Sequence, residues 1–121
     1  MRWFLRSKIN KATVTDTDLN CKGSIGIDRA LTDKVGILPG EKVLVVDNTN
    51  GARLETYVII EKENSGKIVI YGAASHLINK GDEIIIMGFE LSDKPIEVKN
   101  ILVDKNNRME KKGSGTFYRK I

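Results

Sequence analysis

The sequence predicts a small, mainly β domain closed as a barrel, and three observations carry that reading. Short segments rich in β-branched residues recur along the chain. Compact turn signals separate them, among them Pro39-Gly40, Asn50-Gly51 and Lys80-Gly81-Asp82. Helix signals are confined to two short stretches. Roughly six or seven short strands with tight connections fit a small barrel better than a layered α/β fold. The 121 residues are long enough for one core, so a single domain over 1–121 is expected.

In chain order, Trp3 to Asn10 and Ala12 to Thr15 read as extended, and Asp16-Thr17-Asp18 reads as a turn. Asp28 can cap a short helix over Arg29 to Val35, with Gly36 as its stop. Lys42 to Asp47 is a valine-rich strand, Asn50-Gly51 a hairpin turn, and Arg53 to Glu61 the return strand. Asn64-Ser65-Gly66 is expected to close a second hairpin into Lys67 to Tyr71. Small residues at Gly72-Ala73-Ala74-Ser75-His76 suggest a single helical turn. Glu83 to Phe89 is rich enough in isoleucine for a central buried strand. Pro95 marks a loop or edge, and Val98 to Asp104 a last strand. The tail, 106–121, is dominated by Lys, Arg, Gly and Ser and is expected to be flexible or to lie along a neighbouring surface.

Composition narrows the function classes. Charged residues make up 30% of the chain, and 20 basic residues against 16 acidic give a net charge of +4. The basic residues are scattered and the aromatics are not spaced as a stacking platform, which argues against a nucleic-acid partner. One cysteine leaves no disulfide framework and no cysteine cluster for a metal, so no metal site is expected. No apolar run approaches the roughly 20 residues of a membrane helix, and the basic N-terminus has no signal-peptide core. A soluble cytoplasmic protein without a membrane partner is the expectation.

The stretch from Cys21 to Asp28 contains the bond with the most chemical potential, Gly23–Ser24. Glycine has no Cβ, so its backbone tolerates strain and its carbonyl carbon is open to attack. The Ser24 hydroxyl is the nearest nucleophile. An N→O acyl shift would turn the amide into an ester, and loss of the Ser24 α-proton would expel the Gly23 carboxylate. Hydrolysis of the resulting dehydroalanine would leave a pyruvoyl group on the new chain. Most Gly-Ser pairs are ordinary turns, so the dipeptide needs support from the rest of the chain.

That support comes from a wider pattern: Ser7-Lys8-Ile9 with Ala12-Thr13-Val14-Thr15, Asp18-Leu19-Asn20, and Gly23-Ser24-Ile25 with Ile27-Asp28. Downstream follow Asn50-Gly51-Ala52-Arg53-Leu54-Glu55-Thr56-Tyr57, Gly72-Ala73-Ala74 and Gly81-Asp82. In this order and spacing, over about residues 1 to 90, the chain resembles the pyruvoyl-dependent aspartate 1-decarboxylases. The resemblance implies a double-psi β-barrel and conversion of L-aspartate to β-alanine and CO₂ for pantothenate synthesis. It also implies self-cleavage into a β chain (1–23) and an α chain (24–121), and a homotetramer with active sites between subunits.

By the same resemblance, Ser24 becomes the covalent pyruvoyl cofactor that forms a Schiff base with the substrate amine. Tyr57 is the proton donor, Thr56 assists cleavage at Gly23, and Lys8 and Arg53 bind the substrate carboxylates. Gly72, Ala73 and Ala74 line the substrate site. Outside such a pattern, a strand-end lysine or arginine is ordinarily solvated charge, and Tyr57 and Thr56 ordinary strand residues. His76 has no carboxylate or cysteine nearby and reads as a surface or capping residue, and Cys21 as a small packed side chain. The family usually has histidine where Asn10 stands, tyrosine where Cys21 stands and asparagine where Tyr71 stands. These departures bear on maturation and substrate choice. Two other readings stay open: the same chemistry on a different amino acid, and a β-barrel binding protein that never matures.

Overall fold

The computed structural model describes residues 1–110 together with the backbone of residues 117–119. Among the described residues nine strands form one hydrogen-bonded sheet in the order β2-β6-β3-β5-β4-β7-β1-β8-β9. They are β1 (Arg2–Thr13), β2 (Asp16–Asp18), β3 (Ser24–Asp28), β4 (Lys42–Asp47), β5 (Arg53–Glu61), β6 (Ile68–Tyr71), β7 (Glu83–Ser92), β8 (Val98–Leu102) and β9 (Phe117–Arg119). The architecture is mainly β and consistent with a small barrel. Among the described residues no helix is long and apolar enough to cross a membrane.

The one α-helix among the described residues, α1 (Arg29–Val35), starts and stops where local chemistry dictates. The Asp28 carboxylate accepts from the Ala30 amide at 2.8 Å, and Gly36 ends the helix in a left-handed conformation (φ 74°). Asp28 also accepts from the amides of Asn64 and Gly66, at 2.9 and 2.8 Å. One buried carboxylate thus ties the end of β3 to α1 and to the turn before β6. Gly40 and Gly51 have the positive φ their turns need, and β4 and β5 form the expected hairpin.

Two sequence expectations are overturned by non-local pairing. Asp16-Thr17-Asp18 is a strand, because it pairs in parallel with Val69 to Tyr71 on β6. The segments around Asn64-Ser65-Gly66 do not form a hairpin, because β3 lies between β5 and β6. It runs parallel to β5 and antiparallel to β6. This insertion buries all five residues of β3, with Ile25 and Ile27 fully in the core beside Val58, Ile68 and Ile70. Burying each such aliphatic side chain contributes about 1.5–3 kcal/mol. β7 is central as expected, flanked by β4 and β1.

The expectation of a flexible 106–121 tail fails at its start. Asn107 is buried, and its side chain bonds both the amide and the carbonyl of Thr13 and the carbonyl of Gly66. Residues 117–119 pair with β8. Residues 111–116 and 120–121 lie outside the described residues.

Candidate active site

Gly23–Ser24 sits at the mouth of β3, where the chain passes from an exposed turn into the most enclosed strand of the sheet. Ser24 is only 4% exposed and is the register partner of Tyr71 on β6. On the other side β5 runs parallel, with Ile25 opposite Val58, so Ser24 and Tyr57 fall one step before that pair. Side chains alternate across a strand, which puts Ser24, Tyr57 and Tyr71 on the same face.

Two adjoining clefts meet at this bond. Gly23, Thr56, Tyr57, Ala73 and Ala74 line one, of about 470 Å³, together with Leu77 at its rim. Ser24, Tyr57, Ile59 and Tyr71 line the other, of about 540 Å³, with Cys21 and Lys22 at its edge. Both are large enough for a small amino acid. Tyr57 borders each of them and is 42% exposed.

Gly72 closes the back of the site. It begins a single 3-10 turn, Gly72–His76, with φ 79°, and Ser75 Oγ donates to the Gly72 carbonyl at 2.7 Å. A Cβ on Gly72 would stand 2.7 Å from Gly23 Cα and N, and 2.9 Å from the Cys21 carbonyl oxygen. Backbone therefore packs on backbone at the candidate scissile bond, an approach only glycine allows.

The structure thus brings together Gly23, Ser24, Thr56, Tyr57, Gly72, Ala73 and Ala74. It does not bring in Lys8 or Arg53. Lys8 is half-buried on β1 between Met87 and Asn100, and Arg53 is exposed at the start of β5 opposite Val46. Neither lines the two clefts, and neither is in an ion pair with the described residues. In the sheet order β4 and β7 separate their strands. His76 is exposed at the end of the 3-10 turn. Among the described residues no group of three His, Cys, Asp or Glu side chains could hold a metal.

Two departures from the family pattern take definite form. Cys21 is exposed rather than packed, because the turn before β3 projects from the sheet. Its Sγ donates to Asp18 Oδ2 at 3.0 Å, and this hydrogen bond, with the adjacent negative charge, pushes the thiol pKa up. A thiol held protonated is a poor nucleophile. Asn10 spends its amide on the Asn100 side chain and the Ile101 carbonyl, holding β1 to β8.

The sequence reading missed Glu61. Tyr71 Oη donates to Glu61 Oε2 at 2.8 Å. Burial, then this carboxylate, pushes the phenol up to about 12. The alternation of β5 already set Tyr57, Ile59 and Glu61 on one face, but the expected hairpin through Asn64-Ser65-Gly66 put Glu61 beside the turn and Tyr71 at the far end of the return strand.

With this geometry in hand, comparison with known proteins adds the following. A family model described as aspartate decarboxylase matches residues 1–110. An aspartate 1-decarboxylase of Neisseria meningitidis is 49% identical over 112 residues, covering 89% of this chain and 88% of the relative. One from Clostridium botulinum is 50% identical over 111 residues, covering 88% and 90%. One from Corynebacterium efficiens is 48% identical over 113 residues, covering 90% and 83%.

Proposed function

Because the chain belongs to the aspartate decarboxylase family, we propose that it converts L-aspartate to β-alanine and CO₂ with a pyruvoyl group made from its own Ser24. The observation that carries this reading is the packing of Gly72 on Gly23, which holds the Gly23–Ser24 bond against the strand that presents Thr56 and Tyr57. The residues present fit the group. Ser24 is sheltered at a cleft mouth, and the small Gly72-Ala73-Ala74 segment leaves room beside it.

In the maturation step Ser24 Oγ attacks the Gly23 carbonyl carbon, the C–N bond breaks, and an ester forms. Thr56 lines the Gly23 cleft and is the hydroxyl donor for the oxyanion that develops there. Loss of the Ser24 α-proton then breaks the ester C–O bond, leaving the Gly23 carboxylate on residues 1–23. Water replaces the nitrogen of the dehydroalanine, and ammonia departs. The pyruvoyl group supplies a carbonyl electrophile for the substrate amine and takes up the electron pair released with CO₂.

Tyr57 stands at the junction of the clefts, where its phenol can return a proton to the product carbon. Arg53 and Lys8 supply the cations a dicarboxylic substrate needs, Arg53 as a planar fork and Lys8 as a point charge. The two lie on strands separated by β4 and β7 and outside the Ser24 clefts. That separation supports a complete site that draws on a neighbouring copy, in the homotetramer that the family resemblance implies. The exposed apolar side chains of Tyr57 and Ile59 at the clefts, and of Leu38 in a neighbouring groove that they also line, suit such a contact. A cytoplasmic location goes with this role.

The test is intact-mass analysis with an assay of CO₂ and β-alanine release. The native protein should resolve into fragments 1–23 and 24–121, the larger bearing a pyruvoyl end. Ser24→Ala should stay whole, folded and inactive. Fragments from that variant, or a native chain that stays whole and inactive, would overturn the proposal.

A further inference from the structure

Glu61 does not touch Ser24, yet it is built into the same face of the sheet. β3 presents Ser24, Gly26 and Asp28 on that face. Gly26 is the register partner of Ile59 on β5 and Val69 on β6. The Glu61 side chain lies across Gly26: a Cβ there would stand 2.0 Å from Glu61 Oε2 and 2.8 Å from its carboxyl carbon. By crossing β3 at its one residue without a side chain, the carboxylate reaches from β5 to the Tyr71 hydroxyl on β6. The Tyr71 ring in turn forms the wall of the Ser24 cleft opposite Tyr57.

From this geometry we infer that Glu61 is a positioning residue, seated on Gly26, that pins the Tyr71 ring as a fixed wall of the Ser24 cleft and keeps the passage to Ser24 open. The inference rests on the decarboxylase reading for what enters the cleft. A tyrosine ring needs an anchor here, because its only polar atom lies at the far end of the ring. With the hydroxyl held by Glu61, the ring stands beside Ser24 rather than over it. Freed from Glu61, it has space to turn into the cleft and compete with substrate. Burial first, then the Glu61 carboxylate, raises the phenol pKa, and Cys21 and Asp18 add smaller contributions of the same sign.

The experiment compares Glu61→Ala, Glu61→Gln, Gly26→Ala and Tyr71→Phe with the native protein. Gly26→Ala is the discriminating variant: it leaves Glu61 and Tyr71 in place but drives the carboxylate off its seat. Glu61→Ala and Gly26→Ala should each raise KM for aspartate about tenfold, because the freed ring competes with substrate for the cleft, with kcat within about twofold. Tyr71→Phe should follow them. Glu61→Gln, whose amide oxygen still accepts the phenol proton, should stay near native. Ultraviolet titration of the phenols reads the contact directly. The native protein should show a tyrosine titrating late, that signal should be absent in Tyr71→Phe, and it should move earlier in Glu61→Ala. Native KM in both Glu61→Ala and Gly26→Ala overturns the inference, as does an effect of Glu61→Ala without one of Gly26→Ala. If the native protein neither cleaves nor releases CO₂, the decarboxylase reading falls, and an unshifted phenol in Glu61→Ala separately refutes the anchoring of Tyr71.

Discussion

Gly72 packs so closely on Gly23 that a single methyl group between them would sit 2.7 Å from two Gly23 backbone atoms. All three of its nearest neighbours are backbone, so no side chain can swing aside to relieve the clash. Gly72 also holds φ 79°, a region that favours glycine. The left-handed turn and the close approach thus coincide at the candidate scissile bond.

Gly72→Ala should therefore displace Gly23 and slow cleavage at least tenfold, a roughly hundredfold effect being usual for misplacement by about 1 Å. It should also cost about 1–3 kcal/mol of stability. Gly51→Ala is the control. Gly51 has φ 80° but nothing within 4 Å of its would-be Cβ, so it should lose stability and still cleave at the native rate. A time course of intact mass, beside thermal unfolding, checks both. Native cleavage in Gly72→Ala would show that the close packing is incidental.

A second prediction concerns pH. Asp47 is fully buried at the end of β4, and its Oδ1 accepts from the amides of Thr49 and Asn50. Its Oδ2 meets no N–H or hydroxyl donor among the described residues, but Asp82 is close enough to act on it. Burial and that second carboxyl push the Asp47 pKa up, so the folded protein holds a proton that the unfolded chain releases. Unfolding then releases a proton, and stability falls as pH climbs from the ordinary carboxylate range, near pH 4, through the raised value. Asp47→Asn replaces the proton with an amide donor to Asp82. It should raise the melting temperature near neutral pH by several degrees and flatten its slope with pH. An equal or lower melting temperature at about pH 7, with the slope unchanged, would show that Asp47 does not hold the proton.

The parts of the molecule legible in the sequence are those set by local chemistry. The helix from Arg29 to Val35 was readable because Asp28 caps one end and Gly36 the other. The β4–β5 hairpin was readable from valine alternation and Asn50-Gly51, and the 3-10 turn from its small residues. What misled was pairing over long range. Three polar residues, Asp16 to Asp18, signal a turn by composition and form a strand only because β6 lies beside them. The insertion of β3 between β5 and β6 has no local signature, and with it the Ser24–Tyr71 pairing was out of reach. Asn107, in a stretch of polar residues, gives no hint that Thr13 and Gly66 will bury it. Glu61 was hidden for the same reason: its partner is set by an empty place at Gly26, and an absent side chain leaves no mark in the chemistry of its neighbours.

The last prediction tests whether the site spans two chains. Lys8 shares a row of the sheet with Met87 and Leu44, and that row reaches β5 at Glu55. At about 4.8 Å per strand β5 is roughly 14 Å from Lys8 along the sheet, and β3 with Ser24, one strand further, roughly 19 Å, beyond the reach of a lysine along the sheet of one chain. If Lys8 serves the Ser24 of a neighbour, Lys8→Ala and Ser24→Ala lesions should complement. Ser24→Ala alone should be inactive, and Lys8→Ala alone should lose roughly ten- to a hundredfold in kcat/KM. Co-expressed in equal amounts and mixed at random in a cyclic assembly, they should regain roughly a quarter of native activity at low aspartate. That is the share of sites pairing an intact Ser24 chain with an intact Lys8 neighbour. A chain carrying both lesions, co-expressed with native chain, should leave about the same quarter. Restoration should scale with the product of the two chain fractions, measured by mass spectrometry of the purified assembly. Complementation absent from assemblies shown to contain both chains would place Lys8 and Ser24 in the same subunit's site, or remove Lys8 from substrate binding altogether.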